Sequence, residues 1–145
     1  ITDAWTLLGD VTWTRWSSFR ELRVTFDNAL QPAVRQNADW DNSLRLAGGA
    51  RVNVGERWSL RAGVAHETTP VPDATRTPRL PERDHTWLAG SVGYGRGGRW
   101  QWDAHFTHLM TPDAPIALQD PFAGSLRGAV HWRLNIIGVS ATIQF

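Results

Sequence analysis

The sequence has no cysteine, no lysine, one methionine and one tyrosine, and its longest apolar runs are a few residues. Without cysteine there is no disulfide, thiolate zinc site or cysteine nucleophile, and the redox compartment is left open. All fifteen basic residues are arginine, against fourteen acidic ones. The net charge of +1 is not clustered, which argues against a nucleic-acid partner. The apolar runs fall far short of the ~20 residues that a membrane-spanning helix needs. The chain opens at Ile1, mid-pattern and with no leader-like segment, so a mature form or a fragment is expected. No stretch repeats at helical spacing, which predicts an all-β chain without helices.

What is abundant is tryptophan, nine residues of 145, and strict alternation. Trp5, Leu7, Val11 and Trp13 alternate with Thr6, Asp10, Thr12 and Thr14. Leu44, Leu46, Ala50, Val52 and Val54 alternate with Ser43, Arg45, Arg51 and Asn53. The same pattern recurs from Trp58 to Val64, more weakly from Leu88 to Tyr94, then from Trp100 to Phe106 and at the end of the chain. One face is apolar and ends in Trp or Phe, while the other carries Asp10, Arg45, Arg51, Arg61, Asp103, His105, Arg127 and Arg133. A soluble barrel puts its apolar face inside; here lipid outside and an ion-pair network inside fit better. Trp5, Trp58, Trp100 and Phe145 then mark one aromatic girdle, and Trp40 and Trp87 the other.

Loop lengths set the topology. Short turns fall at Gly55 and Gly95, and long loops at Asp27–Asp39, at 68–86 and at Thr111–Phe122. The middle loop holds Pro70, Pro72, Pro78 and Pro81, whose missing amide donors exclude it from a sheet interior. The alternation slips phase at Trp16–Phe19 and at Arg133–Ile136. If both slips are bulges, there are six long antiparallel strands with both termini at the short-turn side, in a transmembrane β-barrel segment; if they are hairpins, there are eight. Six strands are too few to enclose a ligand-sized lumen, so residues 1–145 are expected to be part of a larger barrel.

The segments Trp13–Val24, Thr69–Pro81 with the adjoining Asp84–Leu88, and Asp113–Ile116 resemble the C-terminal part of FadL-type outer-membrane long-chain fatty-acid transporters. The resemblance spans nearly the whole chain and is most specific in the Pro-rich loop. It implies a fourteen-stranded barrel of a Gram-negative outer membrane, plugged by an N-terminal hatch, that passes fatty acids or hydrocarbons inward. The hatch and early strands are not in this sequence, so missing barrel strands or another chain are implied as partners. Lipid and lipopolysaccharide are further expected partners, as is the barrel assembly machinery, which reads a C-terminal strand ending like Phe145. The competing reading is a structural barrel fragment or small engineered barrel without transport of its own.

Candidate sites are few. Gly93–Gly98 fits a G-x-G-x-x-G pattern, but a Trp-bearing strand comes after it where a dinucleotide site needs a helix. His105 and His108 are three apart, on opposite faces of a strand, so no metal site is expected. Asp103 and His105 share a face without a serine or second carboxylate to complete a catalytic set, so no enzyme and no cofactor are expected. A fatty-acid carboxylate entering from outside needs a positive group before its tail is buried. By depth, Arg45 and Arg127 are the expected ligand-binding residues, with His105 as a neutral donor. The other inward arginines are expected to pair with Asp10, Glu21, Glu67 and Asp103.

Overall fold

The computed structural model describes residues 4–28, 30–120 and 124–145. Among these residues ten strands occur in chain order: β1 (Trp5–Thr14), β2 (Glu21–Val24), β3 (Val34–Asn37), β4 (Ser43–Val54), β5 (Trp58–Glu67), β6 (His85–Tyr94), β7 (Trp100–Met110), β8 (Ala114–Asp120), β9 (Gly124–Val130) and β10 (Leu134–Ile143). The six long ones form one antiparallel sheet in the order β1-β4-β5-β6-β7-β10. Their lengths, from 10 to 12 residues, suit a tilted membrane-crossing strand. The described helical structure is one 3-10 turn, Trp16–Ser18. The sheet is open, with β1 and β10 as its edges among the described residues.

The alternation becomes two faces. Register places Trp5, Leu7 and Val11 beside Val52, Ala50 and Leu46, and Leu60 and Val64 beside Val92 and Leu88. Ala104 and Phe106 come next, beside Val139 and Ile137. All these residues share one face, and most remain exposed, as nothing among the described residues covers them. Near the turns, Trp58 packs on Tyr94 with centroids 4.7 Å apart, and Trp100 stacks on Trp102 at 6.3 Å. Trp87 departs from the expected girdle. It lies opposite Ala65 and Leu109 on the polar face, because its position in β6 has the parity of Ala89 and Ser91.

The tight turns and the termini lie at one end of the sheet, as the loop lengths predict. Both turns need a left-handed backbone, at Gly55 (φ 61°) and Gly95 (φ 91°). At Gly95 a Cβ would also collide with the carbonyl oxygen of Trp100. Everything long lies at the other end.

Two of the expected loops contain paired strands, which is a correction. Asp27–Asp39 includes β3, which pairs with β2, and Thr111–Phe122 includes β8, which pairs with β9; Pro121 and Phe122 lie outside the described residues. The phase slips are where the long strands leave the main sheet to enter these hairpins, and neither is a tight reversal. Thr14 pairs with Ser43 and Glu21 with Asn37, so residues 15–20 oppose 38–42, six against five. The extra residue is taken up by the 3-10 turn and flips the facing of every residue after it in the strand. The second slip starts two residues earlier than expected, at 131–133. Leu134 pairs with Leu109 and Val130 with Ala114, so three residues oppose the four of 110–113. There the extra residue sits on the strand facing the expected bulge.

Buried side chains gather at this long-loop end. Ala38, Val71, Leu109, Ala114 and Ile116 are buried there, with Arg76 and His85 among them.

Candidate functional site: the inner wall and its outer cap

On the polar face, Arg51, Arg61, Ser91, His105 and Gly138 stand side by side across β4, β5, β6, β7 and β10. Two adjacent guanidinium groups repel unless compensated. Arg61 Nη1 donates to Asp103 Oδ1 at 2.6 Å and to Ser91 Oγ at 3.4 Å, and Arg51 Nε donates to Asn53 Oδ1 at 3.3 Å. Gly93 leaves the room for this pair, since a Cβ there would lie 2.6 Å from both Asp103 Oδ1 and Ser59 Oγ. The His105 ring lies over Gly138 in the same way, filling the space a side chain would take.

Nearer the long loops, Arg45 Nη1 donates to Asp10 Oδ1 at 3.2 Å, and Asp10 also accepts from Thr12 Oγ1. Small side chains (Ala47, Gly63, Ala65 and Ala89) lie between the two arginine levels. They leave two adjoining hollows of about 320 and 230 Å³ that share Gly63, Ala89 and Thr107. The outer hollow is lined by Arg45 and Trp87, and the inner one by Arg61 and His105. The result is a trough with an apolar floor and a cation at each level.

The Pro-rich loop stands over the outer end of the trough and joins the two hairpins. Its base is closed by Thr69 N–H on Asp84 Oδ1 at 2.8 Å. Towards β3 and β4, Thr75 Oγ1 donates to the Ala38 carbonyl (2.9 Å), and Asp41 N–H to the Pro70 carbonyl (2.8 Å). Towards β8 the tie is Arg76, only 1% exposed. Its guanidinium meets Asp73 at 2.6 Å and the carbonyls of Glu82 (2.8 Å), Val71 (3.3 Å) and Pro115 (3.5 Å). A buried cation survives by saturating its donors in this way. Between loop and first hairpin, Phe19, Leu22, Trp40, Val71 and Leu80 line a further cavity of about 220 Å³.

Beneath the loop, His85 Nδ1 lies 2.9 Å from the Arg83 carbonyl, and its Nε2 lies 3.7 Å from Glu67. Burial raises the Glu82 carboxyl above its ordinary value; Glu67 adds to the shift and His85 opposes it.

Of the expected ligand-binding residues, the trough brings Arg45 and His105 onto one face, in adjoining hollows. Arg127 stands apart, exposed on β9 opposite Ala117 in the second hairpin. The expected internal pairing holds for Arg61 with Asp103, whereas Arg45, expected to bind ligand, is itself paired with Asp10. Arg76 was missed. It sits in an aperiodic stretch, where the nearest signal is Asp73 three residues before it.

The whole chain, residues 1–145, matches the family described as outer membrane protein transport protein (OMPP1/FadL/TodX). The chain belongs to this family. It is 31% identical over 159 aligned residues to an outer membrane protein of Neisseria meningitidis, a match covering 100% of the chain and 34% of that protein. It is 26% identical over 90 residues to the long-chain fatty acid transport protein of Escherichia coli K12, covering 62% of the chain and 20% of that protein. Among solved structures, a Pseudomonas aeruginosa FadL homologue superposes with a TM-score of 0.88 at 28% identity, over 98% of the chain and 33% of that structure. The chain thus spans about a third of the length of such relatives. Membership makes this an outer-membrane β-barrel segment of FadL type. The apolar face is accordingly the lipid side, and the trough is on the inner wall.

Proposed function

We propose that this chain is the C-terminal part of an outer-membrane channel for long-chain fatty acids or similar hydrophobic compounds. The observation that carries the reading is the trough, an apolar floor of small residues on the charged face with cations spaced along it. An acyl chain lies against such a floor without displacing water from polar groups, while its carboxylate meets a charged donor at each level. Arg127, exposed on the outer hairpin, meets the carboxylate first. Arg45 receives it at the head of the trough by exchange with Asp10, and His105 donates lower down. The reading takes its substrate class from the E. coli relative's name. The remaining strands come from outside these residues and pair with β1 and β10, and the exposed Phe145 closes the apolar face of β10 as a signal for barrel assembly.

The test is binding of a radiolabelled long-chain fatty acid to the full-length protein, purified folded and read by its heat-dependent gel mobility. Arg45→Ala with Arg127→Ala is expected to weaken binding about tenfold or more, the value of one charge-assisted contact. Parent-like binding by a folded double variant assigns both arginines to structure.

A further inference from the structure

The apolar face is closed off at its outer end by polar cross-strand pairs. His66 Nδ1 lies 2.9 Å from Thr86 Oγ1, and His108 Nδ1 lies 2.7 Å from Asn135 Oδ1. His108 occupies the position on β7 next after Phe106 on that face, and Asn135 the one next to Ile137 on β10. Hydrocarbon therefore ends between these rows, and the lipid headgroups begin at His108. Just beyond it the four residues 110–113 face only three, 131–133, and the strands part. The gap is a hollow of about 600 Å³ whose lining includes His108, Asp113, His131, Trp132 and Arg133.

The groups in this hollow are mostly donors and cations. Arg133 has no ion pair or hydrogen bond among the described residues. His131 Nδ1 lies 2.5 Å from Asp113 Oδ1, which fixes the ring; like His108, it has its Nε2 uncommitted among the described residues. The one carboxylate is thus engaged by His131, leaving a guanidinium and two ring nitrogens facing an open space at headgroup depth.

We propose that this notch, formed by His108, His131 and Arg133, binds the phosphorylated sugar headgroup of an outer-leaflet glycolipid. The guanidinium fork matches two oxygens of one phosphate. The imidazole Nε2 atoms meet sugar hydroxyls or further phosphate oxygens. Acyl chains below run down the apolar face past Phe106, Ile137 and Val139. The site belongs to the lipid side and rests on the outer-membrane placement, independently of what passes along the trough.

The experiment uses the full-length protein in detergent and native mass spectrometry, with diphosphorylated lipid A as probe. Retention of lipid A is expected to fall about tenfold or more in Arg133→Gln with His131→Gln, and less in Arg133→Lys, which keeps charge but loses the fork. Arg99→Gln, on the opposite turn, serves as the cation control and should leave retention unchanged. Lipid A stripped of phosphate should bind the parent as weakly as the double variant binds intact lipid A. Equal retention by the folded double variant, or equal binding of the dephosphorylated lipid, overturns the proposal. So does full competition by millimolar inorganic phosphate, which assigns the notch to a free anion.

Discussion

The sheet and its outer cap are built on different physics. The six long strands are joined by backbone ladders, and their apolar face has no partner among the described residues, with Leu7, Val11, Ile137 and Val139 largely exposed. That face relies on lipid, so its side chains need only be apolar and need not interlock. The cap behaves like a small soluble protein. It buries Val71, Ala114 and Ile116, and it is tied by side-chain bonds from Thr75, Asp84 and, above all, Arg76. A membrane supplies the first region's core from outside, whereas the second must supply its own.

Substitution at nearby residues on the two faces breaks the comparison most sharply. Ala104→Arg, four residues short of the headgroup level at His108, puts a charge on the lipid face near mid-membrane and is expected to cost about 2–4 kcal/mol. Thr107→Arg, on the inner wall, should leave folding nearly intact while narrowing the trough. Urea titration of the full-length barrel into lipid vesicles reads both; equal costs would mean that the two faces are not differently solvated.

Arg76→Met should act on the cap alone. It strands the Val71 and Glu82 carbonyls and removes the shorter of the two ion pairs of Asp73, a local loss on the order of 2–3 kcal/mol by the worth of bonds to a charged group. Limited proteolysis should then cut within 70–83 while the barrel keeps its folded gel mobility. Loss of the folded band would mean that the cap also holds the sheet.

The smallest effect is on pH. Glu82 has a raised folded-state pKa, so its neutral form is favoured by the fold, and its contribution is present below the ordinary carboxylate range. That contribution is lost as pH rises through the raised value. Proteolysis of the loop should therefore quicken with rising pH across that window, and Glu82→Gln should flatten the change. A slope that persists in Glu82→Gln would mean that Glu82 is not its source.

Loop lengths in the sequence indicated the end at which the turns lie and left six long strands or eight open. The alternation of Trp5–Trp13, of Leu44–Val54 and of Trp58–Val64 by itself determined two faces and the charged side that faces inward. It did so because a period of two is a local property of an extended chain, and lipid selects for it residue by residue. The phase slips were legible as slips of one residue, since any such offset flips every later side chain. Their form was not legible: whether a 3-10 turn absorbs the extra residue, or the opposing strand carries it, depends on the partner's length. Tertiary structure alone decided that Val34–Asn37 and Ala114–Asp120 are strands, because each is defined by its mate across a hairpin and not by its own pattern. It alone placed Trp87 inside, put Arg45 and His105 on one trough with Arg127 apart, and buried Arg76. A guanidinium's partners are here backbone carbonyls from Val71, Glu82 and Pro115, and bonds to carbonyls carry no side-chain signature that a sequence displays.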